Sequence, residues 1–257
     1  MRIRHLLPHA ACLVAVLVIA GTHGTAAGPA PDRYQVLSDR TEIVSLLLTA
    51  TPAQIALLEK LNRADEAHLQ RLFALVVPRT WDADDTSHTV LPSRYAPANA
   101  AAKFLVVYLP GQMFGAYEFG TLVRWGPISS GRRRRATPPG SFTLNWRSTG
   151  RYSTVNPAWF MEWYFNFDSR DGLALHAYTL PGYPASHGCI RLLERDAQWL
   201  HEWGDTWQLD ARAGLLAPGT SVFVVGAYDF AAPPPWRSPA WLSQEVQLPS
   251  PKSLTAP

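Results

Sequence analysis

The run from His176 to Arg191, HAYTLPGYPASHGCIR, limits what this chain can fold into more than any other part of it. A Leu- and Ala-rich segment ends on His176. A stretch with Pro181, Gly182 and Pro184 follows, and then Ser186, His187, Gly188, Cys189, Ile190 and Arg191. A cysteine thiol ionises near pH ~8.5, so little of it is nucleophilic at neutral pH unless a neighbouring imidazole takes its proton. The two side chains meet only if a strand delivers His176 and a loop returns Cys189 beside it. Gly188 lets the backbone approach a substrate closely. The amides of Gly188 and Cys189 are candidates for an oxyanion hole, and Arg191 is placed to bind a carboxylate through a two-pronged contact.

The N-terminus decides how Cys189 is read. Arg2 and Arg4 precede an apolar run from Ala10 to Ala20, and Thr25 and Ala27 stand where cleavage before Gly28 would need small residues. Residues 1–27 therefore read as a secretory signal peptide, their apolar run being shorter than the ~20 residues of a membrane span. An uncleaved anchor is the alternative, and both readings export the rest of the chain to the periplasm or cell envelope. Of the two cysteines, cleavage removes Cys12 and leaves Cys189 alone. A lone thiol outside the cytoplasm is either buried and inert or reactive, and the SHGC context with His176 upstream favours the reactive reading. The net charge of +3 suits an anionic wall or membrane surface and peripheral association with it. It is too small to argue for a nucleic-acid partner.

Five segments are expected. After the signal peptide, residues 34–79 form a small helical module, in which Ile43, Leu46, Leu47, Ile55, Leu58 and Leu61 recur at helical spacing. Pro52 marks a second helix start, with Thr51 as its cap. Residues 80–102 read as a polar linker. Residues 103–226 form a mainly β domain with strands near 103–109, 141–146, 173–178 and 221–225, a hairpin about Gly120, and a helix over 196–203 capped by Asp196. Residues 227–257 read as a loose Pro-rich tail. The aromatic run Trp159–Phe167 is read as core or as a cover for a cleft. The basic run Arg132–Arg135 is read as a solvated hairpin tip or a contact for anionic substrate.

The motif of His176, Ser186, His187, Gly188, Cys189, Ile190 and Arg191 resembles that of the YkuD-type L,D-transpeptidases. So does Thr137–Phe142, which fits their TPxGxF turn, preceded by Ser129, Ser130 and Gly131 in their SxG pattern. The resemblance covers about half the chain. It implies a β-sandwich-like catalytic domain with short helices and no cofactor or metal. It also implies an acyl-enzyme on Cys189 formed from a peptidoglycan stem tetrapeptide, with an amine as acceptor: a second stem, a lipoprotein lysine or a free D-amino acid. His176 is then the base, oriented by the backbone carbonyl of Ala177. His187 shapes the site or polarises the carbonyl, Ser186 holds the loop and Arg191 binds substrate. Water as acceptor would make the protein a carboxypeptidase or a hydrolase of crosslinks or lipoprotein links.

Residues 61–78 also resemble the closing half of a LysM-type glycan-binding module, through Asn62, Leu69 and a final apolar-Pro. The opening Gly-Asp-Thr of that module is absent, and a plain helical packing unit is the other reading. Two further functions compete. A zinc hydrolase would use His176, His187 and Cys189 as ligands, but zincin motifs are missing. A non-catalytic wall-binding protein would have lost Cys or His, and both are present.

Overall fold

Capping chemistry sets the first elements of the computed structural model, which describes residues 33–251. The signal-peptide segment 1–27 and Cys12 lie outside the described residues. β1 (Tyr34–Leu37) leads to Asp39, whose carboxylate accepts from the amides of Thr41 and Glu42 at the start of α1 (Arg40–Thr49). Thr51 and Gln54 form a reciprocal capping box on α2 (Pro52–Asn62), with Pro52 in the first turn, where a missing N–H leaves nothing unpaired. α3 (Glu66–Leu69) and β2 (Leu75–Pro78) follow, and β2 pairs antiparallel with β1. The Asn62 side chain donates to Leu58 O and Val76 O, each at 2.9 Å, and accepts from Val76 N at 2.8 Å. Two residues that carry the LysM resemblance, Asn62 and the fully buried Leu69, therefore have structural work inside this small unit.

The larger part is built on one curled sheet. Its strands in chain order are β3 (Phe104–Tyr108), β4 (Met113–Glu118), β5 (Thr121–Ser129), β6 (Gly140–Thr143), β7 (Arg147–Tyr152), β8 (Phe160–Asp168), β9 (Leu173–Ala177) and β10 (Ile190–Leu192). After α4 (Glu194–Trp203) come the short pair β11 (Gln208–Leu209) and β12 (Leu215–Ala217), then β13 (Ser221–Val225), and α5 (Pro239–Leu242) lies beyond. The nine-stranded sheet has the order β6-β13-β3-β4-β5-β10-β9-β8-β7. Its curl wraps a core of Leu105, Phe114, Ile128, Phe165, Leu192 and Val224, closed by Ala197 and Leu200 of α4. The mainly β class with a few short helices is the one expected, with a single sheet folded over its own core.

Three sequence expectations meet a different arrangement. Asp196 is not the cap of α4: the helix starts at Glu194 after Leu193, and the fully buried Asp196 carboxylate accepts from Arg124 Nε at 3.0 Å and Nη2 at 2.8 Å. Residues 80–102, read as a linker, bury Val90, Leu91, Tyr95 and Ala98 and run along the β4–β5 hairpin, with Tyr95 N donating to Gly120 O and Leu122 N to Ser93 O. The Pro-rich segment read as loose buries Trp236 and Leu242, and Val246 N donates to Val90 O at 2.8 Å. The physical reason is shared. Pro removes regular hydrogen bonding but not the drive to bury apolar and aromatic side chains. Tyr34, Leu61, Val76, Met113, Trp125 and Trp236 accordingly form one core that joins the helical module, the sheet and the tail.

Candidate active site

β9 and β10 run parallel, with Ile190 opposite Leu175, Arg191 opposite His176 and Leu192 opposite Ala177. Side chains on a strand alternate between faces, so His176, Ala174, Arg191 and Cys189 all share one face. Cys189 stands diagonally from His176, and both line a cleft of about 280 Å³. This is the strand and returning loop that the sequence demands.

The polarity of His176 follows from a single contact. Its Nδ1 lies 3.0 Å from Ala177 O, and a carbonyl only accepts, so the ring proton sits on Nδ1 and Nε2 keeps its lone pair. Burial pulls the His176 pKa down to about 4, against a smaller upward effect from Ala177 O and a further lowering by Arg191. The imidazole is therefore neutral at pH 7, as a base must be. Burial pushes the Cys189 thiol up, opposed by the amide of Ala174 and by Arg191 and Arg151. At rest the pair is a neutral thiol and a neutral imidazole, with Sγ 3.9 Å from Gly172 O.

The loop before Cys189 is held from several directions. Ser186 Oγ accepts from Gly188 N at 3.1 Å and donates to Cys189 O. This contact corrects one sequence reading: the Gly188 amide is occupied inside the loop and is not a free oxyanion donor. Gly188 has φ +120°, a backbone conformation that favours glycine, and a Cβ there would also stand 3.0 Å from Leu173 Cδ2, which would have to give way. Ser186 also pairs with the SxG segment, Ser186 N donating to Ser130 O and Arg132 N to Ser186 O, each at 3.0 Å. Thr137 joins the two motifs: its Oγ1 accepts from Gly131 N at 3.0 Å and donates to Gly188 O at 2.7 Å. A Cβ on Gly131 would overlap the Arg135 carbonyl. Farther back in the loop, Asp65 of the helical module bonds Leu180 twice, Asp65 N to Leu180 O at 2.9 Å and Leu180 N to Asp65 Oδ2 at 2.8 Å.

His187 is committed elsewhere. Arg132 Nη2 donates to its Nε2 at 2.7 Å, which places the ring proton on Nδ1, and the Trp159 ring packs against it at 4.7 Å between centroids. Its Nε2 lone pair is engaged by Arg132, and the ring forms part of the cleft lining. Arg191 stacks on Tyr178 at 4.6 Å and faces the cleft. The three residues of the zinc alternative do not converge as ligands, and no such cluster of His, Cys, Asp and Glu occurs among the described residues.

The aromatic run contributes to the core and to the cleft wall. Between Glu162 and Phe165 the β8–β9 register shifts, with Trp163 at φ +53°. The bulge stands opposite His176 and reverses the alternation. Phe165 and Phe167 enter the core, whereas Met161 and Tyr164 pack with Ala174 and Cys189 in the cleft wall. Period-two counting along β8 misses Tyr164, because only the left-handed residue at 163 reveals the shift. Arg132 reaches the site, and Arg133 and Arg134 are exposed.

Residues 102–224 match the model of the YkuD family, the L,D-transpeptidase catalytic domain. The match falls on the part of the chain that holds the two motifs. No curated protein sequence matches the chain. Among solved structures, an L,D-transpeptidase from Stackebrandtia nassauensis is 24% identical, with 50% of this chain and 58% of that one aligned at a TM-score of 0.41. An L,D-transpeptidase from Mycobacterium tuberculosis H37Rv is 23% identical over 49% of this chain and 58% of its own, with a TM-score of 0.39. One from Mycobacterium smegmatis is 18% identical over 49% of this chain and 59% of its own, also at 0.39. The match thus spans less than two thirds of the length of each of these proteins.

Proposed function

We propose that this chain, whose residues 102–224 are a YkuD L,D-transpeptidase catalytic domain, is an exported peptidoglycan L,D-transpeptidase that forms a thioester on Cys189. The observation that carries this reading is His176. It is neutral, it is fixed by Ala177 O with Nε2 unprotonated, and it stands on the same sheet face as the Cys189 thiol.

The steps balance as follows. His176 Nε2 takes the thiol proton as Sγ adds to the carbonyl carbon of the stem tetrapeptide's diamino acid. The tetrahedral adduct collapses, the bond to the terminal D-residue breaks, and His176 returns the proton to the leaving amine. An acceptor amine then adds to the thioester carbonyl and gives a proton to His176. The sulfur leaves and regains that proton. The guanidiniums of Arg191 and Arg151 favour the thiolate that develops in both halves. The acceptor is a second stem's diamino acid, a lipoprotein lysine or a D-amino acid. Location in the periplasm or envelope rests on the signal-like segment 1–27.

Incubation of purified protein with disaccharide-tetrapeptides, read by mass spectrometry beside Cys189→Ala, tests the reading. Dimers joined through two diamino acids, or exchange of the terminal D-residue, are expected from the unaltered protein and absent from the variant. Tripeptide alone would make the protein a carboxypeptidase, and no cysteine-dependent product would end the enzymatic reading. A carbapenem is expected to add its mass to the unaltered protein and leave Cys189→Ala unchanged.

Thr137→Val keeps the side chain's shape and removes both of its hydrogen bonds to the loop. Turnover is expected to fall about 10–100-fold through misplacement of Cys189, with stability lowered by about 1–3 kcal/mol. Thr137→Ser should recover most of the rate. Equal kcat/KM for Thr137→Val and the parent protein would show that the buttress has no catalytic consequence.

A further inference from the structure

Two guanidiniums line the cleft without a carboxylate partner among the described residues. Arg191 lies on β10 against Tyr178. Arg151 lies on β7, separated from β10 in the sheet by β9 and β8. Its guanidinium sits over the Trp146 ring at 5.1 Å and the Tyr164 ring at 4.9 Å. Aromatic faces orient a guanidinium and leave its in-plane N–H donors open. Among the described residues Asp171 is the one acid on the cleft wall, and it forms no ion pair with either arginine. Arg191 Nη1 donates to Thr179 O at 3.5 Å, whereas the Arg151 guanidinium makes no hydrogen bond among the described residues, and an arginine held open in this way is suited to a carboxylate on the substrate.

The surface between Cys189 and Arg151 says which carboxylate. Met161, Tyr164 and Trp146 pack in the same cluster as Cys189, and two of these rings carry Arg151. The wall therefore runs from the sulfur along apolar surface to a guanidinium. An alkyl side chain that ends in a carboxylate complements that sequence of surfaces. The acyl part of the donor, which stays on sulfur through both halves of the reaction, is the part that meets it.

We propose that Arg151 is a specificity-determining residue that binds the side-chain carboxylate of the acyl donor's diamino acid, so that the preferred donor carries a diamino dicarboxylic acid. This rests on the transpeptidase reading of the same cleft. Arg191, beside Cys189, is left for the carboxylate of the departing residue.

Binding is measured apart from chemistry by calorimetry on the full chain carrying Cys189→Ala. The probes are two disaccharide-tetrapeptides that differ only in that side-chain carboxylate, free or converted to the carboxamide. The free acid is expected to bind at least tenfold tighter, with the advantage shrinking as salt rises. Adding Arg151→Gln should reduce the preference to about twofold or less, and Arg151→Lys should restore part of it. An undiminished preference in Arg151→Gln, or equal loss of affinity for both probes, would overturn the assignment. So would equal binding of the two probes by the parent. If the preference is present but the protein with Cys189 intact turns over neither peptide, the carboxylate site stands and the transferase reading falls.

Discussion

His176→Gln is expected to lower kcat/KM for cysteine-dependent turnover by about 10³-fold, within the range that a positioned general base supplies. Carbapenem acylation of Cys189 should slow in parallel, because it draws on the same proton transfer. Both groups are neutral at rest, since burial lowers the imidazole pKa to about 4 and raises that of the thiol. The acid limb of kcat/KM is therefore expected near pH 4, well below the value of an exposed histidine, and His176→Gln should remove it. A limb near pH 6.5 in the unaltered protein would show that the ring is more open than its burial indicates.

The same ring ties stability to pH. In the unfolded chain the imidazole protonates near pH 6.5, and in the folded protein only near pH 4, so the unfolded state binds more protons between these values. The contribution of a neutral His176 is complete above pH 6.5 and is lost as pH falls toward 4, by about 3 kcal/mol in all. Denaturant titrations of the two proteins at a series of pH values should show a shallower acid dependence for His176→Gln.

Trp125→Ala is expected to cost about 3–5 kcal/mol, the usual loss for a large aromatic deleted from a core. The fully buried Trp125 donates from Nε1 to Asp85 O at 3.0 Å and carries Lys60 at 5.0 Å and Arg63 at 5.9 Å from its ring centre. Arg63, also buried, is shared with the Trp236 ring at 5.7 Å and donates to Gly111 O at 2.7 Å. Removal of the ring takes the aromatic surface from Lys60, leaves Arg63 with the Trp236 ring alone, and opens a cavity among the module, the sheet and the tail. The melting temperature should fall by roughly 6–20 °C in one transition, because these three parts share the core. A loss below about 1 kcal/mol, or a separate early transition, would show that the module folds apart from the sheet.

What the linear sequence carries well is what depends on neighbours in the chain. Thr51, Pro52 and Gln54 encode the start of α2 through a capping box closed within four residues. Leu173–Ala177 reads as a strand, and Ser186, His187, Gly188 and Cys189 read as chemistry, because the tight loop needs its glycine and its serine at fixed offsets. That His176 and Cys189 line one cleft was legible because their spacing suits a strand and a returning loop. The family resemblance rests on the same short-range features and extends to the Thr137 turn.

Contacts across large sequence separations decided the rest. Thr137, in the segment after β5, reaches the Cys189 loop through the Gly188 carbonyl. Asp196 looks like a helix cap until Arg124, on another strand, claims its carboxylate. Tyr164 enters the cleft only because a bulge at Trp163 reverses the alternation of β8. Residues 80–102 and the Pro-rich tail look mobile by composition, yet apolar burial holds them to the sheet. Local hydrogen bonding and side-chain period are written in short words of sequence. Burial, register shifts and the choice of ion-pair partner are settled by which distant surfaces the folded chain brings together.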